Sequence, residues 1–190
     1  MAGMISDYPQ APPRLAPFLA SWDYMNEQLL ARLEGLTDDE LMWEPAPSVL
    51  TVRRRPDGTT GTDARGLPPD ARVQPPRTLA WSIGHLGSCT LVRADWLVGS
   101  HTLDDDDVPW PVTAAEAVDL LESGLSAWRA GLDQMSDADL DTVGRSAYPR
   151  GLDPELPLMD TVWWVHKELL EHAAEIWYVR DLYAAALTKP

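Results

Sequence analysis

The sequence contains a single cysteine, Cys89, so no intrachain disulfide and no cysteine-rich metal site can form, a usage that fits a reducing compartment. Long hydrophobic runs are missing as well. No stretch approaches the roughly 18–20 apolar residues that a membrane-spanning helix needs, and the start, MAGMISDYPQAPPR, lacks the charged-then-apolar layout of a secretory leader. Positive charge is scarce. The 15 Lys+Arg against 30 Asp+Glu leave a net charge of −15, a field that repels nucleic-acid phosphates and anionic lipid. The expectation is a soluble, cytoplasmic protein whose partners include neither nucleic acid nor membrane, leaving small molecules as the class to consider. Phenylalanine is nearly absent, one against nine tryptophans. With no disulfide, packing must hold the fold, and 45% hydrophobic content over 190 residues is enough for one core, hence one domain over 1–190.

What is present has helical periodicity. Leu15, Phe18/Leu19, Trp22, Met25, Leu29 and Leu33 recur every three or four residues, and Gly35 follows as a stop. Thr37-Asp38-Asp39-Glu40 has the Thr-x-x-Glu form of a capping box and predicts a short helical turn. Thr78 is the expected N-cap of a second long helix reaching Val98, with His85 near its middle and Gly99 at its end. Thr113-Ala-Ala-Glu116 is another capping box, and Val118, Leu121, Leu125, Trp128 and Leu132 form the stripe of a third helix. A short acidic turn at Ser136–Leu140 and a proline-rich connection over 149–157 precede a last helix predicted from about Asp160 to about Ala186. Between the first two long helices, about 45–77 holds seven prolines and three glycines and reads as a long irregular excursion, a candidate cover for one end of the molecule. Asp104–Asp107 lacks the alternating ligand spacing of a calcium loop and reads as a solvated connection. Four long helices without strand alternation predict an all-α four-helix bundle with long irregular connections. Dimerisation through helix faces is compatible with such a bundle, and the sequence does not decide it.

The residues able to do chemistry cluster on the last helix. Glu168 and His172 lie four apart, on one face, and Glu175 returns to that face, rotated by only about 20° from Glu168. Apolar Val165, Leu169, Ile176 and Val179 flank the row, which places it toward the interior. Buried carboxylates and imidazoles need pairing, hydrogen bonds or a metal, and His85 sits between apolar Ile83 and Leu86 on another helix. By spacing alone the ordinary reading is a surface Glu–His contact and a hydrogen-bonded core histidine; the sharper reading is His85, Glu168 and His172 around one divalent ion, the fourth position open. His166 is rotated by about 120° from His172 and should not join them. His101 reads as a cap or loop residue, Cys89 as a small core residue with a ligand or nucleophile as the sharper reading, and Arg180-Asp181 as ionic contacts with an anionic ligand as the sharper reading. No glycine-rich phosphate loop, Ser/His/Asp elbow or zinc-ribbon spacing is present, and neither of the two Glu-x-x-His motifs of a ferritin-like di-metal centre exists.

The segments TLAWSIGHLGSCTLVRADWL and WWVHKELLEHAAEIWYVRDLY, supported by GLTDDELMWEPAP, resemble the DinB-like superfamily of metal-binding four-helix proteins over nearly the whole chain. In that family a second-helix histidine and a pair four apart on the last helix bind a divalent ion, positions that match His85, Glu168 and His172. Glutamate in place of the pair's first histidine departs from the common all-histidine triad and resembles the branch containing mycothiol-dependent maleylpyruvate isomerase. The resemblance implies zinc as the leading ion, with nickel, iron or manganese as alternatives. It further implies a low-molecular-weight thiol such as mycothiol as co-reactant, and a thiol-dependent S-transferase or isomerase activity on an unnamed substrate. Glu175 then becomes an orienter of His172 or a nearby acid/base, and Trp110 with the 45–77 excursion becomes a candidate wall around the substrate. A metal-dependent hydrolase and a non-catalytic metal-binding or stress-response bundle are the competing readings on the same scaffold.

Overall fold

Local signals along the chain decide where each helix begins. In the computed structural model, which describes residues 4–65, 75–145 and 155–188, α1 (Ala16–Leu33) carries Pro17 in its first turn, where a missing N–H is harmless. After α1, Gly35 adopts φ 73°, a left-handed turn that lets the chain reverse into α2 (Asp38–Leu41). The Thr37 hydroxyl accepts from the Glu40 N–H at 3.2 Å, but the Glu40 carboxylate turns inward instead of closing the predicted box. Helix α3 (Leu79–Val98) starts at Thr78, whose side chain accepts from the Trp81 N–H, and ends at Gly99. Helix α4 (Ala114–Leu132) has the full reciprocal box between Thr113 and Glu116. Helix α5 (Leu158–Leu187) is the longest, 30 residues or about 45 Å.

The four long helices close a ring of contacts, α1 on α4, α4 on α3, α3 on α5 and α5 on α1, so the fold is the expected all-α bundle. Their apolar stripes meet in one core in which Trp22, Trp128, Ile83, Leu86, Leu121, Leu125, Val165 and Leu169 are buried. Each large aliphatic side chain so buried contributes on the order of 1.5–3 kcal/mol relative to exposure. Helices α3 and α4 approach most closely through glycine. A Cβ added at Gly124 would lie 2.3 Å from the Gly87 carbonyl oxygen, and one added at Gly87 would lie 2.8 Å from the Leu120 side chain, so neither position has room for a side chain.

One expectation needs correction. The connection from 45 to 77 is not wholly irregular: β1 (Val49–Arg54) and β2 (Thr60–Arg65) form an antiparallel hairpin with Arg54 opposite Thr60. Val49, Thr51 and Val52 are β-branched and buried, and Pro56-Asp57-Gly58 makes the turn, with Gly58 at φ 87° and Asp57 accepting from the Thr59 N–H. The count of prolines and glycines obscured that pattern. Residues 66–74, and most of the proline-rich connection over 149–157, lie outside the described residues. Leu50 of β1 bonds both ways to the segment before α3, its N–H to the Pro76 carbonyl and its carbonyl to the Thr78 N–H, each at 2.9 Å. The hairpin thereby fixes the backbone on either side of Arg77.

Candidate metal centre

Helices α3 and α5 pack side by side, and His85 of α3 faces the polar row of α5 across that contact. Glu168 and His172 are buried within the bundle, whereas the His85 side chain is 32% exposed. The Nε2 atoms of His85 and His172 each lie 3.3 Å from the same oxygen, Oε2 of Glu168. One donor atom from each of the three residues lies within 4.8 Å of the others, so this group could hold a metal ion. Lys167 takes the second oxygen of Glu168 at 2.8 Å and also pairs with Glu171, leaving a single Glu168 oxygen toward the imidazoles.

The outer contacts fix the inner ones. His172 Nδ1 donates to Glu175 Oε2 at 2.9 Å, and Glu175 also receives the Ser82 hydroxyl at 2.8 Å and Arg77 at 2.7 Å. With its proton committed to Nδ1, a neutral His172 presents the lone pair of Nε2 to an ionised carboxylate. Two acceptors facing each other demand a positive species between them, either a second proton on the ring or a cation. This is the carboxylate–histidine arrangement that orients metal-bound imidazoles, so the donor set fits a divalent ion.

The electrostatics agree in direction. Burial opposes charge on each group, but the hydrogen bonds outweigh it. Contacts from His172, His85 and Lys167 hold the Glu168 carboxyl far below its usual range. Contacts from His172, Arg77 and Ser82 hold Glu175 down at about 2, and the carboxylates of Glu168 and Glu175 raise His172 above an ordinary imidazole.

A cleft of about 510 Å³ opens onto the three donors, walled by Arg77, Trp81, Trp164 and Glu171, a size usual for small-molecule sites. Trp81 stacks on His85 with ring centroids 4.9 Å apart and planes 15° from parallel. A second cavity of about 280 Å³ also borders His85 and is lined by Thr62 of the hairpin, Cys89, Trp110 and Trp164. The candidate walls expected at Trp110 and in the 45–77 excursion therefore border this second cavity, the excursion through Thr62. Trp110 also rests on α3 at Gly84, where an added Cβ would meet its ring at 2.8 Å.

The remaining candidates fall elsewhere. His166 packs edge-on to Phe18 at 5.3 Å, where burial lowers its pKa, away from the trio. His101 sits in the loop after α3, 5.7 Å from the Trp96 ring. Cys89 is buried, and its thiol is pushed up to about 12 by burial, with Arg93 opposing and Glu168 adding to the rise, so it is a poor nucleophile. Arg180 pairs with Glu40, and Asp181 with Arg32. The sequence reading missed Arg77, Trp81, Ser82 and Lys167. Trp81 was accessible in principle, because it precedes His85 by four residues and so shares its face. Arg77 was not, because its contact with Glu175 spans 98 residues.

No curated protein and no solved structure matches the chain. A family model, the DinB superfamily, matches residues 21–176, a span that holds all three donors, and the chain belongs to that family.

Proposed function

Taking the DinB-superfamily bundle as premise, we propose that this chain is a divalent-metal-binding protein, zinc being the leading ion, that acts as a low-molecular-weight-thiol-dependent S-transferase or isomerase. The observation that carries this reading is the convergence of two imidazole nitrogens and one carboxylate oxygen within 4.8 Å at the floor of an open cleft. Three single-atom donors are fewer than the four protein ligands of a structural zinc site, so an ion held by them would keep a position for water or substrate, as catalytic sites do. A bound divalent ion would supply Lewis acidity, lowering the pKa of a thiol such as that of mycothiol.

The chain's own residues set the terms of that chemistry. Glu175, ionised at any physiological pH, orients His172 and keeps the Nδ1 proton in place; its low pKa favours this role over that of a proton shuttle. Lys167 restrains Glu168 to one-oxygen contact. Trp81 and Trp164 give the cleft apolar surface beside the donors, and Glu171, paired with Lys167, adds a carboxylate to its lining.

Cobalt substitution tests the reading directly. The Co(II) protein, titrated with mycothiol or another small thiol, should develop a sulfur-to-cobalt charge-transfer band that saturates with the thiol. A cobalt spectrum indifferent to every thiol tried would sink the transferase and isomerase reading while leaving the metal centre standing. Turnover of an ester or amide without thiol would favour a hydrolase instead.

A further inference from the structure

Arg77 lies outside both helices that carry the donors, yet it touches the supports of both histidines. Its Nη1 donates to Glu175 at 2.7 Å, and Glu175 accepts the Nδ1 proton of His172. Its guanidinium carbon lies 4.8 Å from the centroid of the Trp81 ring, and Trp81 stacks on His85. One planar cation thus closes two arms, a charge-assisted hydrogen bond on the α5 side and a cation–π contact on the α3 side. Its backbone is itself held, because Leu50 of β1 bonds to the residues before and after it. A lysine at this position would reach Glu175 as a point charge but could not lie flat over the indole.

We propose that Arg77 is a positioning residue for the metal centre, holding His172 through Glu175 and His85 through Trp81, with the hairpin as its anchor. The proposal rests on the metal-binding reading of His85, Glu168 and His172 but not on the thiol chemistry. Removing the guanidinium releases Glu175 to swing away from His172 and lets the Trp81 ring tilt beneath His85. Both imidazoles then sample orientations unsuited to a common ion. Outer contacts of this kind change metal affinity by about 10–100-fold.

The test compares wild type, Arg77→Met, Arg77→Lys and, as a control, Arg14→Met, whose ion pairs with Asp137 and Asp141 lie on the surface. Zinc affinity is measured by competition with a chromophoric chelator, the Co(II) visible spectrum reports coordination geometry, and thermal unfolding of the metal-free proteins reports the fold. Arg77→Met should lose about 10–100-fold in affinity and shift the cobalt bands while its metal-free midpoint stays close to that of Arg14→Met. Arg77→Lys should recover part of the affinity. Arg77→Met affinity within twofold of wild type, with an unchanged cobalt spectrum, overturns the proposal, as does a loss of zinc binding matched by collapse of the metal-free fold in both Arg77→Met and Arg77→Lys. Should Arg77→Met fail to fold, Arg77→Lys decides: weaker zinc binding with a shifted spectrum supports the proposal, and wild-type behaviour overturns it. A wild type that binds neither zinc nor cobalt rejects the centre itself, a result distinct from these.

Discussion

Helix α5 buries charge at two stations about 12–18 Å apart, and the two are built on opposite plans. At Arg180 the guanidinium meets Glu40 through two bonds, Nε at 2.7 Å and Nη2 at 3.0 Å, while Nη1 reaches carbonyls at the end of α1. Charge is matched and both carboxylate oxygens have donors. At Glu168 and His172 the contacts leave two imidazole nitrogens and a carboxylate oxygen turned toward one another at the base of a cleft. The first station is complete and ties α2 and α1 to α5. The second is complete only with a positive species added, and the proposed metal centre rests on that incompleteness. Burial and charge alone do not separate a structural pair from a functional one; the balance of donors and acceptors does.

The comparison can be broken most severely at the first station. Arg180→Ala leaves the Glu40 carboxylate buried without its partner and should cost about 3–5 kcal/mol of stability, read by denaturant unfolding, with zinc affinity of the folded fraction unchanged. The double replacement Arg180→Met/Glu40→Leu should restore much of that loss, since a buried pair exchanged for packed apolar groups is often neutral. A single variant as stable as wild type would mean that the pair adds nothing to the fold. Gly124→Ala should cost about 1–3 kcal/mol by forcing α3 and α4 apart at the Gly87 carbonyl, again read by unfolding.

The second station should respond in affinity rather than stability. Glu175→Gln keeps the shape but exchanges an ionised acceptor for an amide, and zinc binding should weaken by about 10–100-fold, measured by chelator competition. The smallest expected effect is on pH dependence of the metal-free protein. The His172 pKa is raised in the fold, so its contribution is fully present below the unfolded value of 6.5 and is lost as pH rises through the higher folded value. The Glu175 pKa is depressed, so its contribution is present above the unfolded 4.5 and lost as pH falls toward about 2. Between these limits, from about pH 4.5 to 6.5, the metal-free centre contributes most, and the unfolding midpoint should decline above that window. Zinc should reverse the trend, because metal displaces the His172 proton and binds more tightly as pH rises. A metal-free midpoint that rises through pH 7–8 would contradict the assignment.

Much of the bundle was legible because its signals are local. Thr78, Thr113 and Gly99 mark helix ends through contacts within a few residues, and the stripe from Leu121 to Leu132 follows from a 3.6-residue period. The hairpin was missed although Pro56-Asp57-Gly58 between β-branched runs is also a local signal; it was submerged in a stretch judged by its proline and glycine content. For the site, Glu168, His172 and Glu175 could be placed on one face by counting along α5, but joining them to His85 needed the family resemblance, since no periodicity relates residues 83 apart. The inward turn of Glu40 to Arg180, across 140 residues, was invisible for the same reason. Local chemistry is written in the spacing of residues, whereas the pairing of distant charges emerges only from packing.

The central claim is that the unmatched station on α5 binds a metal ion and the matched one does not. Metal content of purified protein, measured by elemental analysis on wild type, the His85→Ala/His172→Ala variant and the Arg180→Met/Glu40→Leu variant, addresses it directly. One divalent ion per chain in wild type and in the Arg180/Glu40 variant, and none in the histidine variant, is the predicted result. Equal metal in wild type and the histidine variant would contradict the account.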